Sequence, residues 1–142
     1  MKNAFAILII LIAVLVAGCT TAQQAVPAEP AIPGLVGTWS GPSTGYDQAT
    51  GFTNYRDLGI TMVITEQNGR IFTGHILFIA NGTESSTGIA GAISRDGKKF
   101  SMSEQSGGYA FGEILGPDAF EITYLEDGKS YSAAVDSFTR TG

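Results

Sequence analysis

Cysteine and histidine each occur once in the 142 residues, and eight lysines and arginines face thirteen acids. A single cysteine excludes an internal disulfide, a cysteine-based zinc site and a dithiol redox pair. His75 has no companion histidine or cysteine with which to hold a transition metal. It also falls mid-strand on the outer face, so no serine acquires a base and an orienting acid. The carboxylates show no pairing suited to acid–base work. The chain therefore does not read as an enzyme, and no catalytic residue, metal or cofactor is expected. The formal charge of −5 comes without a basic cluster. Neutralising phosphates needs Lys and Arg grouped on one face, so nucleic acid is not an expected partner. Beyond the N-terminal segment, no stretch of a dozen residues carries a helical repeat.

What is present begins with a leader. Lys2 supplies a positive start, and Ala4 to Val16 is an apolar run too short to span a bilayer comfortably. The following "LVAGC" resembles the processing site of exported lipoproteins. That resemblance implies that residues 1–18 form a signal or anchor helix and that Cys19 carries the lipid at the mature N-terminus. Residues 19–34 hold three of the five prolines among small and polar residues, which reads as a flexible tether. Residues 35–142 remain as one domain, placed outside the cytoplasm and held to the membrane through Cys19.

The domain alternates apolar and polar residues in short bursts cut by turn signals, the pattern of strands with one buried face. Asn68-Gly69, Asp96-Gly97 and Asp127-Gly128 mark tight hairpins. The runs predict eight strands, at 35–40, 58–66, 70–80, 87–94, 98–105, 108–115, 119–126 and 130–141. Short hairpins make neighbours antiparallel, and closing an up-and-down meander removes its two bare edges. The expected fold is all-β, an eight-stranded antiparallel up-and-down barrel. A two-sheet sandwich is the alternative these strands allow.

Closure would bring the first and last strands together. "GTW" on the first strand and "TR" on the last resemble the signature of the calycin superfamily of lipocalins, fatty-acid-binding proteins and avidins, and that resemblance implies that Arg140 lies over the ring of Trp39 as a latch. "LVGTWS", "MVITEQNGRIFTGHI" and "VDSFTR" are similar to avidin strands in particular. The resemblance implies a ligand-binding barrel in which Asp136 faces the ligand. The aromatic box of avidins is missing, however. Trp39 stands alone, and Ile76 replaces the inward tyrosine, so biotin is not the expected ligand.

Alternation from Trp39 predicts an inward set that includes Met62, Ile64, Phe72, Ile76, Phe78, Phe100, Phe111, Leu115, Phe120, Ile122, Tyr124 and Phe138. Glu104, Glu113 and Asp136 share that phase, and a buried carboxylate needs partners or a proton. With Tyr124, Phe78 and Ile76 they form the candidate ligand lining. Ile71, Leu77 and Ile79 point outward, where a second copy or the 41–57 loop would cover them. That loop carries Tyr46, Phe52 and Tyr55 and reads as a lid or recognition loop. Asn81 opens an N-G-T sequon on a turn, a glycosylation candidate. Two functions are open at this point. One is a small-molecule binder for a hydrophobic or amphipathic ligand; the other is a solid-cored structural module that docks envelope proteins or copies of itself.

Overall fold

The computed structural model describes residues 30–54, 59–80 and 82–142. Cys19, Tyr55 and Asn81 lie outside the described residues, as do the leader and most of the tether. Every element among the described residues is a strand: β1 (Gly37–Gly41), β2 (Ser43–Asp47), β3 (Gly51–Asn54), β4 (Ile60–Asn68), β5 (Ile71–Ala80), β6 (Thr83–Ile93), β7 (Lys99–Glu104), β8 (Tyr109–Gly116), β9 (Ala119–Glu126) and β10 (Ser132–Arg140). Pairing runs β4 to β10 in sequence order, all antiparallel, and β1 bonds both β4 and β10. The meander is thus a closed eight-stranded barrel, not a sandwich.

The predicted 41–57 loop is instead the hairpin β2–β3. β1 and β2 follow one register along β10, with Trp39 opposite Arg140 and Ser43 opposite Asp136. They are one strand interrupted at Pro42, which has no N–H to give to a ladder. Before Pro42 the outer neighbour is β4; after it the neighbour is β3. Tyr46 and Phe52 are therefore part of a sheet extension beside β10 and not a lid across the barrel.

A run of rings fills the end of the barrel around Trp39. Trp39 and Phe120 stand 4.6 Å apart between centroids, Phe120 and Phe138 5.0 Å, Phe100 and Phe120 5.3 Å, and Phe72 and Phe100 5.5 Å. Burying each such ring stabilises the fold by about 1.5–3 kcal/mol, so this stack is its centre. Two glycines make room for it. A Cβ on Gly112 would come within 2.2 Å of the Phe100 ring, and one on Gly91 within 2.3 Å of Phe72.

That crowding corrects the predicted phase of β8. Ala110, Gly112 and Ile114 face inward, while Phe111, Glu113 and Leu115 are exposed on the outside. A one-residue slip moves a whole strand's side chains to the other face. The small residues, and not the bulky ones, match the space left beside Phe100 and Met102, their register partners. Elsewhere the inward set holds: Leu35, Met62, Ile64, Ile76, Ile89, Ile93, Phe120, Ile122 and Phe138 are buried.

Candidate functional site at the polar end

The two ends of the barrel differ in chemistry. At the Trp39 end the indole Nε1 donates to the Leu35 carbonyl at 2.8 Å, and the Arg140 guanidinium carbon lies 4.1 Å from the ring centroid. The same guanidinium donates to the carbonyls of Val36 at 2.7 Å, Gly34 at 2.8 Å and Pro117 at 3.3 Å, and to Asp118 Oδ1 at 3.0 Å. Gln67 accepts from the Leu35 amide and donates to the Pro33 carbonyl, and Ile32 packs on the core. Residues 32–36 therefore cross this end and stop it with apolar side chains and satisfied carbonyls.

The other end is polar. Asp136, opposite Ser43 and Ile122 in the sheet, is 3% exposed. Ser43 hydrogen-bonds its carboxylate, yet Oδ1 has no partner. Burial raises the Asp136 pKa above the ordinary carboxylate range. Glu104, at the end of β7, is pushed up to about 7, first by burial and then by the charges of Asp136 and Glu126. Tyr124 is also held protonated, mainly by burial and then by the Glu104 charge. Its hydroxyl donates to the Gly107 carbonyl at 3.2 Å and to Glu126 Oε2 at 3.4 Å, which also accepts from Ser132. Buried Thr87 bonds Ser106 across 3.0 Å beside them.

Sequence reasoning thus places four of its six lining candidates at or near this mouth: Asp136, Glu104, Tyr124 and Phe78, which is half-buried against the core. Ile76 is buried deeper, within the packed interior. Glu113 is the correction: it stands outside with the inverted β8, paired to Lys99 Nζ at 3.1 Å with both side chains largely exposed. Ser43 and Glu126 were not anticipated. Ser43 shares the inward phase of Trp39 four residues earlier, a signal hidden by reading the strand as ending before Pro42.

The arrangement can attract and bond a donor. Among the described residues, no three His, Cys, Asp or Glu side chains stand where they could hold a metal ion. Asp136 offers one free buried acceptor, backed by two further acids.

Fold and site define a small closed β-barrel with one stopped end and one acidic end. The chain is similar to the solved structure of a redesigned β-barrel, with a TM-score of 0.53 and 13% identity over 76% of this chain and 92% of that one. At that identity the likeness concerns the fold alone. No family model matches the chain, and no curated protein matches its sequence, so these comparisons lend no support to membership of the calycins.

Proposed function

We propose that this protein is a lipid-tethered extracytoplasmic barrel that binds a small amphipathic ligand by a positively charged or N–H-donating head. The observation that carries the reading is the buried, partnerless Oδ1 of Asp136 at the acidic mouth. A buried acceptor left without a partner costs about 1–3 kcal/mol, more when charged, and a ligand N–H would recover that. A cation would also relieve the repulsion from Asp136 and Glu126 that adds to burial in raising the Glu104 pKa. Phe78 supplies an apolar wall for the remainder of the ligand. The tether is supported by the "LVAGC" junction and the proline-rich stretch after it.

Calorimetric titration of n-butylammonium chloride into the purified protein tests the reading, with n-butanol as the uncharged control. Saturable heat is expected for the ammonium and not for the alcohol, with loss of binding in Asp136→Asn. Absence of saturable heat, or the same heat from Asp136→Asn, overturns it.

A second reading, a solid-cored docking module, is favoured by the ring stack that fills the Trp39 end. It does not exclude the first, because the stack leaves the acidic end aside.

A further inference from the structure

Among the described residues two side-chain oxygens are buried without a hydrogen-bond partner, Asp136 Oδ1 and Thr53 Oγ1. Asp136 is the proposed anchor for a ligand head; Thr53 stands on another strand. It lies on β3 between Phe52 and Asn54, both exposed. The register sets Thr53 opposite Gly45, Gly45 opposite Ala134, and Ala134 opposite Tyr124. Residues directly opposite in antiparallel strands share a face, as do residues two apart on one strand. Thr53 therefore stands on the inner face in one row with Tyr124, and Asp136 lies two residues from that row along β10.

The strand does not account for the hydroxyl. A β-branched residue suits β3, but valine would serve that purpose in about the same volume. A buried hydroxyl left unpaired lowers stability. Between the two oxygens the inner face of β2 and β10 carries Gly45 and Ala134, so nothing longer than a methyl group on these strands separates them.

The two Cα atoms are two strands and two residues apart, roughly 12 Å on strand spacing. Both side chains point to the inside of a curved sheet, which brings their oxygens closer. A four-carbon chain with a hydrogen bond of about 2.8 Å at either end covers such a gap. A threonine hydroxyl both donates and accepts, so it can bond a hydroxyl, ether or carbonyl oxygen that an ionised carboxylate only repels.

We infer that Thr53 is a second anchor of the mouth, and that the ligand class is an amino alcohol or its like, with a hydrogen-bonding oxygen about four carbons from its N–H-bearing head. The inference rests on the reading of Asp136 as the anchor for that head. It adds a demand at the far end of the ligand, where that reading asks only for an apolar remainder.

Calorimetry on the purified full-length protein compares 4-amino-1-butanol with n-pentylammonium, which has the same length and a methyl group in place of the hydroxyl. The amino alcohol is expected to bind about tenfold tighter, the worth of one recovered hydrogen bond. Burial of apolar surface alone would rank the two the other way. Thr53→Val is expected to remove the preference and leave n-pentylammonium binding unchanged. Without ligand it should melt no lower than the parent, because it deletes an unpaired hydroxyl and nothing bonded to it. Three results would each overturn the inference alone: n-pentylammonium binding as tightly as the amino alcohol, a preference that survives Thr53→Val, or a lower melting temperature for that variant. No saturable heat from either amine would overturn it together with the reading of Asp136.

Discussion

Arg140 lies over the face of Trp39, its guanidinium carbon 4.1 Å from the ring centroid, joining the last strand to the first. Four hydrogen bonds from the same group hold the incoming chain and the β8–β9 turn, so one side chain closes the barrel and stops its end. The exposed partner Asp118 contributes little, since surface ion pairs give about 0–1 kcal/mol. The ring and the carbonyls do more. Arg140→Ala is expected to cost about 2–3 kcal/mol and to redshift the emission of the single tryptophan. Arg140→Lys, which keeps the charge but loses the fork, should fall between. Thermal melts with fluorescence read both, and an unaltered Arg140→Ala protein would mean the latch is idle.

The glycines beside the rings make a second prediction. Gly112→Ala forces a Cβ against Phe100, and overpacking of this kind costs about 1–3 kcal/mol. Phe100→Leu in the same chain should return part of that loss, because it removes the atoms the new methyl meets. Denaturant melts of the three variants measure the coupling; strict additivity would contradict the packing described.

Stability is expected to depend on pH through Glu104. Its folded pKa is raised from 4.5 to about 7, so the folded state keeps a proton that the unfolded chain has released. Stability should be full below pH 4.5, fall as pH rises toward 7, and then level. Glu104→Gln should flatten that slope and melt higher than the parent at pH 8. A parent whose melting temperature rises from pH 4.5 to 7 would have the wrong sign.

Biotin is not expected to bind with useful affinity. Asp136 could give it one hydrogen bond to a charged group, about 1.5–3 kcal/mol, while 1 mM binding needs about 4.1. Ile76, where the resemblance calls for a tyrosine, is buried in the packed core. Calorimetry at micromolar protein should show no saturable heat, and tight binding abolished by Asp136→Ala would contradict the reading.

These expectations depend on features the sequence exposes unevenly. The barrel was legible because turn pairs such as Asn68-Gly69 sit between strongly alternating runs, and because Trp39 and Arg140 stand at opposite ends of the 35–142 domain. β2 and β3 were not, since "STGYD" and "GFTN" put small residues on the inner phase and Pro42 hides their continuity with β1. β8 misled for a related reason. Bulk usually points inward, but here the inner volume already belonged to Phe100 from the neighbouring strand, and Glu113 went outside with Phe111. Glu104 and Asp136 lie on strands whose phase was clear, and both face the mouth. Whether a buried acid keeps a partner depends on cross-strand neighbours such as Ser43, which single-strand periodicity does not supply.

The acidity of the mouth can be measured at the carboxyl itself. Carbon-13 NMR of glutamate-labelled protein, assigned with Glu104→Gln, should find Glu104 titrating near 7 in the free protein. That midpoint should move down in the presence of n-butylammonium, and down also in Asp136→Asn, where one of the opposing charges is gone. A Glu104 midpoint in the ordinary carboxylate range, unmoved by the ammonium, would contradict a mouth built to receive a cation.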